Sequence, residues 1–185
     1  MALKSSSYQA WHLRGCVSSK FIRVFREYNR EHRLGLISLL EIRISGEKAK
    51  LVLSKLGFQN SHRVEVVAFF RGIWIVWRDS IKVKVLKSHS LFILTKVTDN
   101  SFKQPLLASF VYDSPNSHKR RNLWDSWKDF TPLDGSLWVA IGDFNAIISS
   151  SEKKGRVRGK RCLFFGSFMD SAHLHDLGFK GAQFT

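Results

Sequence analysis

The stretch "LWVAIGDFNAI", Leu137 to Ile147, begins as a buried strand and then breaks its own pattern. After Val139, Ala140 and Ile141 come Gly142, Asp143, Phe144 and Asn145, before apolar residues resume. Gly, Asp and Asn are the residues that punctuate strands, so a turn accounts for them. A sharper reading is that the strand delivers a carboxylate and a carboxamide, Asp143 and Asn145, to a reaction. Which reading holds depends on what the other strand ends supply.

Working outward, "LGLISLLEI" (34 to 42) is a short, nearly continuous apolar run, as expected of a strand buried on both faces. Glu41 sits at its end. An unpaired carboxylate there costs several kcal/mol, so Glu41 needs a cation, a metal or hydrogen-bond donors. A salt bridge with Arg43 is the plainer solution. Two carboxylates at the ends of two buried strands are what a hard cation such as Mg²⁺ takes. "PLLASFVY" (105 to 112) is a third strand, closed by Tyr112, whose hydroxyl either donates to a phosphate or belongs to amphipathic edge packing. "WHLRG" (11 to 15) closes the first strand with His12 and Arg14, and a lone His in that setting is more often structural than catalytic.

The remaining pattern mixes periods. Residues 19 to 32 place Phe21, Val24, Phe25 and Tyr28 on one helical face, with Ser19 as the N-cap. "GEKAKLVLSKLG" is a second helix, with Ser45 before it and Gly57 placed to end it. From 62 to 98, short β-branched and aromatic runs read as an antiparallel meander. Pro115 opens a helix in which Leu123, Trp127 and Phe130 share a face, and another helical stretch runs from Cys162 to about His175. With no repeat and no linker, this order predicts one α+β domain over 1–185: stacked sheets, mainly antiparallel, with helices outside.

Composition narrows the partner. The 185 residues are 44% hydrophobic, enough for a core, and carry 30 Lys+Arg against 15 Asp+Glu, a formal charge of +15. That surplus favours a polyanion, nucleic acid ahead of a membrane surface, because no basic amphipathic helix stands out. A solvated basic face is the alternative. The loop "KKGRVRGKR" holds six Lys or Arg between Lys153 and Arg161. Lys153, Lys154, Arg156 and Arg158 suit a DNA-backbone clamp as readily as a solvated loop. Two cysteines, Cys16 and Cys162, exclude a disulfide scaffold and a Cys-based zinc site. No apolar run reaches the roughly 20 residues of a bilayer span. "MALKSSSYQAW" has no apolar signal core, so the expected setting is intracellular, the nucleus included, without secretion. Nothing in the sequence sets an oligomeric state.

Five motifs then stand in register: "WHLRG", "LLEI", "VYDSPN", "IGDFNAIISSSEKKGR" and "DLGFKGAQFT". Together they resemble the endonuclease/exonuclease/phosphatase superfamily, above all the endonuclease domains of plant non-LTR (LINE-type) retrotransposons. There "WNxRG", "LLET", "VYGSPN", "IGDFNAI...EKKGG" and "DLGFxGxxFTW" recur. The resemblance runs from about Trp11 to Thr185 and implies a four-layer α/β sandwich: two stacked sheets with helices on the outer faces. It implies a Mg²⁺-dependent DNA endonuclease with no small-molecule cofactor. Glu41 would hold the metal, Asp143 would orient or deprotonate the attacking water, Asn145 would help place water and phosphate, and Tyr112 would contact the phosphate.

Three departures qualify that picture. His12 replaces the Asn of the first motif, and imidazole suits Mg²⁺ poorly. Asp113 replaces the Gly of "VYGSPN", adding a charge beside Tyr112. The family's last motif, a Ser-Asp-His, would lie beyond Thr185. The expectation is therefore a degenerate retrotransposon endonuclease with weak or no activity, against two competitors. One is a non-catalytic basic nucleic-acid-binding remnant. The other is a phosphoesterase for phosphoinositides or other small phosphates, which the basic surplus disfavours.

Overall fold

The computed structural model describes residues 8–15, 18–64, 72–100, 103–113, 117–132, 135–145 and 163–177. They fall into two compact units, Met1–Ser114 with Asp134–Phe144, and Pro115–Leu133 with Asn145–Thr185.

The first unit opens with β1 (Tyr8–Gly15) and α1 (Ser19–His32). α1 is capped by Ser18 rather than Ser19: extended at φ −82°, Ser18 accepts the Phe21 N–H on its hydroxyl. The helix buries Phe25, flanked by the partly buried Phe21 and Tyr28, and leaves Val24 46% exposed. Its apolar stripe is therefore narrower than the four-residue pattern predicts. β2 (Leu36–Ile42) is buried along its whole length, as its unbroken apolar run requires. α2 (Gly46–Lys55) follows Ser45, whose side chain makes no capping bond, and the chain reverses through Gly57 at φ 78°.

β3 (Asn60–Val64) and β4 (Gly72–Trp77) form one hairpin; β5 (Lys82–His89), β6 (Phe92–Thr98) and β7 (Leu106–Tyr112) form a separate antiparallel run. The expected single meander is thus divided. β4 takes β2 as its second neighbour, so the chain leaves the first sheet after Trp77 and starts the second at Lys82. Pairing choice of this kind is non-local and leaves no mark in strand alternation. β8 (Trp138–Asp143) joins β7 in parallel, giving sheet orders β1-β2-β4-β3 and β5-β6-β7-β8. Four of the six pairings are antiparallel, with β1–β2 and β7–β8 parallel.

Two cores hold this unit. Phe25, Ala49 and Val52 of the helices pack on Ile37, Leu39, Trp74 and Val76 of the first sheet. The opposite faces, with Leu36, Leu40, Ile73 and Ile75, meet Ile93, Val97, Ala108 and Phe110 of the second. Both sheets thus hide one face in the other, the arrangement of an α+β sandwich. The second unit contains α3 (Ser117–Lys128) and α4 (Leu163–Ser171), joined by aromatic packing. Trp127 and Phe168 stack at 5.0 Å, Trp124 and Phe165 at 4.9 Å. Leu123 and Trp127 are buried as expected, whereas Phe130 is half-buried just past the helix end. α4 ends at Ser171, short of His175. Pro115 and the basic loop at 152–161 lie outside the described residues.

Two histidines, His62 and His89, are expected to make stability fall in acid. His62 of β3 shares a 2.7 Å hydrogen bond with Ser88 of β5, and His89 Nδ1 accepts the Leu91 N–H at the β5–β6 turn. Burial lowers both pKa values below 6.5, helped at His89 by Lys87. The unfolded chain binds these protons more readily, so their contribution is complete above about pH 6.5 and is lost as pH falls through the folded pKa values. The thermal midpoint should fall between pH 7 and pH 5, and His62→Gln with His89→Gln should flatten that slope. An unchanged slope would assign the acid sensitivity elsewhere.

Candidate active site

Period-two alternation would put Glu41 on the helix-facing side of β2, with Ile37 and Leu39. It does not go there. Between Leu39 and Ile42, β2 spends three steps against two on β4, so one extra residue bulges out. Glu41 takes that strain with φ 64°, a left-handed conformation uncommon outside Gly, Asn and Asp. The bulge leaves Leu40 and Glu41 on the inter-sheet side and returns Ile42 to the helix side. There Glu41, only 8% exposed, accepts a 2.7 Å hydrogen bond on Oε1 from the Tyr112 hydroxyl. Arg43 is exposed, and the bond to Tyr112 anchors Oε1 of the carboxylate.

Tyr112 ends β7 on the same inter-sheet face as Ala108 and Phe110. Parallel pairing sets Ala108, Phe110 and Tyr112 against Val139, Ile141 and Asp143 of β8, so Asp143 shares that face beside Tyr112. The close approach is made possible by Gly142, which has φ 152°. A Cβ there would lie 1.9 Å from the Val111 carbonyl oxygen. The glycine of "GDFN" is therefore a packing requirement as well as a turn residue, and the Asp113 N–H closes the register on the Asp143 carbonyl at 2.8 Å.

Glu41, Tyr112 and Asp143 thus come together at the carboxyl ends of three strands from both sheets. His12 stands next to them in backbone register, paired with Leu40 on β1. Asn145 follows Asp143 by two residues with φ 45° and begins the second unit. Lys153, Lys154, Arg156 and Arg158 lie outside the described residues. Asp113 is fully buried directly after Tyr112, a depth that the Ser-Pro-Asn following it in the sequence does not signal.

Glu41 and Asp143 are oxygen donors, the type a hard cation takes. Among the described residues no group of three or more His, Cys, Asp or Glu side chains that could hold a metal comes together. Mg²⁺ is usually held by one or two carboxylates, completing its shell with water and substrate phosphate oxygens. Among the described residues no helix is long and apolar enough to cross a membrane.

No family model matches the chain, and no curated protein matches it. Solved structures do. The endonuclease domain of TRAS1, a telomere-specific non-LTR retrotransposon, aligns with a TM-score of 0.67 at 10% identity over 94% of this chain and 75% of its own. The AP endonuclease LMAP from Leishmania major gives 0.68 at 13% identity over 89% and 66%. A humanized D. rerio TDP2 gives 0.52 at 14% identity over 75% and 61%. This chain therefore spans 61% to 75% of the length of these structures. At such identities the likeness is one of fold.

Proposed function

On the endonuclease/exonuclease/phosphatase fold that this chain adopts, we propose that it is a Mg²⁺-dependent phosphodiesterase acting on DNA, of retrotransposon origin and slow. The two units belong, in this reading, to one such domain, and its DNA substrate places it in the nucleus. The observation that carries the proposal is the Tyr112–Glu41 hydrogen bond with Asp143 in register beside Tyr112, which joins three chemistry-bearing strand ends. The "GDFN" and "VYDSPN" motifs and the TRAS1 likeness support the retrotransposon assignment.

Glu41 would hold Mg²⁺, which when bound would neutralise phosphate charge and make the attacking water more acidic. The Tyr112 hydroxyl fixes the Glu41 carboxylate and, with substrate present, turns its proton toward a non-bridging phosphate oxygen. Asp143 accepts a proton from the attacking water, and the Asn145 amide donates to that water or the phosphate. In-line attack then forms the new P–O bond and breaks the one to the deoxyribose oxygen, which leaves with a proton taken from solvent. Lys153, Lys154, Arg156 and Arg158 would grip the flanking backbone without reading sequence.

Slowness follows from Asp113 and His12. A buried carboxylate directly after Tyr112 would repel the incoming phosphate, and His12, whose backbone pairs with Leu40, stands where the motif has Asn. The test is nicking of supercoiled plasmid by the purified chain with Mg²⁺ and with EDTA. Slow, Mg²⁺-dependent nicking is expected, and Asp113→Asn should accelerate it on the order of tenfold by removing one like charge. Complete inactivity of parent and variant would favour a non-catalytic nucleic-acid-binding protein instead.

A further inference from the structure

β5 and β7 both run antiparallel to β6, so β5 ends at the edge of the second sheet where Tyr112 ends β7. The turn that follows, "KSHSL" (87 to 91), is tied to that edge. The Tyr112 N–H donates to the Leu91 carbonyl at 3.0 Å, and Leu91 is only 4% exposed. The Ser88 hydroxyl is clasped at 2.7 Å by His62 of the first sheet. Backbone register runs from His89 through Phe92 to Val111, which puts His89 two strands, about 10 Å, from β7. That is too far to touch a phosphate seated on Tyr112, but within the span of one nucleic-acid strand lying across this end.

The turn offers donors and no acid. From Lys82 to Thr98 the hairpin carries four lysines and no carboxylate, so nothing on it competes with an anion for Lys87. Lys87 is exposed. His89 is held in place: its Nδ1 accepts the Leu91 N–H at 3.3 Å, and its ring packs on the buried Phe92 with centroids 5.0 Å apart. Burial and Lys87 keep the imidazole neutral at pH 7. A neutral ring that accepts on Nδ1 carries its proton on Nε2. Among the described residues no hydrogen bond uses that proton. A fixed N–H donor beside an exposed lysine is the equipment of a backbone-phosphate contact, which positions a duplex without reading its sequence.

We infer that Lys87 and His89 of the β5–β6 turn grip a DNA phosphate flanking the scissile one and hold the duplex across the catalytic end. The inference takes its ligand class from the DNA reading above, but binding can be measured without catalysis. The test is the affinity of a fluorescent duplex of about 20 base pairs, read by anisotropy in EDTA over a range of salt. Lys87→Ser should weaken binding about fivefold near 150 mM salt and reduce the salt slope by about 1. His89→Asn keeps an oxygen that can accept the N–H two residues on, so the turn survives while the Nε2 donor is lost. It should weaken binding by about threefold or more with the slope unchanged, because no cation is removed. Both variants should keep the parent thermal midpoint. In plasmid nicking they should raise KM and leave kcat, as a contact remote from the reacting atoms does. Lys84→Ser removes the same charge from the same hairpin at the far end of the sheet, and should bind as the parent does. Turn variants that bind like the parent, or an equal loss in Lys84→Ser, would overturn the inference. Turn-dependent binding in a chain that never nicks plasmid would retain the phosphate contact and sink only the hydrolase.

Discussion

Replacing Asp143 with Ala is expected to lower Mg²⁺-dependent plasmid nicking by about 10²–10³, with Glu41→Gln falling in the same range. The size follows from what each carboxylate does. Glu41 is buried, held by the Tyr112 hydroxyl and turned inward by a strained bulge, so its charge is directed at one place. Asp143 is held beside Tyr112 by parallel register and, in the proposed mechanism, takes the water's proton. Glu41→Gln keeps a hydrogen-bond acceptor for Tyr112, so its loss reports charge rather than collapse of the site. Equal thermal midpoints for parent and Glu41→Gln, alongside the rate loss, are the expected pair of results. A rate loss that only tracks unfolding would point to a structural role.

The second large effect is on stability. Gly142→Ala should destabilise the chain by about 3 kcal/mol or more, adding a glycine-only backbone strain of about 1–3 kcal/mol to overpacking of similar size. The clash at 1.9 Å is with the Val111 carbonyl oxygen, a backbone atom that cannot step aside without breaking the β7–β8 ladder. For a chain of this length the thermal midpoint should drop by on the order of 10 °C. Gly135→Ala is the contrast: at φ 73° nothing lies within 4 Å of the added Cβ, so only about 1 kcal/mol of backbone preference is lost. Similar midpoints for the two variants would contradict this account of Gly142.

Much of this architecture is legible in the sequence. Continuous apolar runs mark β2 and β8, alternation marks β5, and the "GDFN" break marks where β8 delivers its polar residues. The resemblance then nominates Glu41, Tyr112 and Asp143. Their meeting is another matter. Tyr112 and Glu41 are 71 residues apart in the chain, and a contact at that separation is set by sheet stacking rather than by local pattern. The bulge that turns Glu41 inward is invisible too, since alternation puts the residue on the wrong face and no Gly announces a positive φ. Ser18 rather than Ser19 caps α1 because adjacent serines offer the same side chain and only the Phe21 N–H selects between them. The lysines of "IKVKVLK" read simply as the wet side of a strand until the register with β6 places Lys84 opposite Lys96.

The central claim is that Glu41 and Asp143 serve one phosphate rather than two separate places on the sheets. The measurement that tests it most directly is the nicking rate of Glu41→Gln, Asp143→Asn and the double variant. Residues that act as a unit are strongly non-additive, so the double variant should be at most about tenfold slower than the slower single one. Losses that multiply to about 10⁴ or beyond, or single variants that nick at the parent rate, would contradict a shared site.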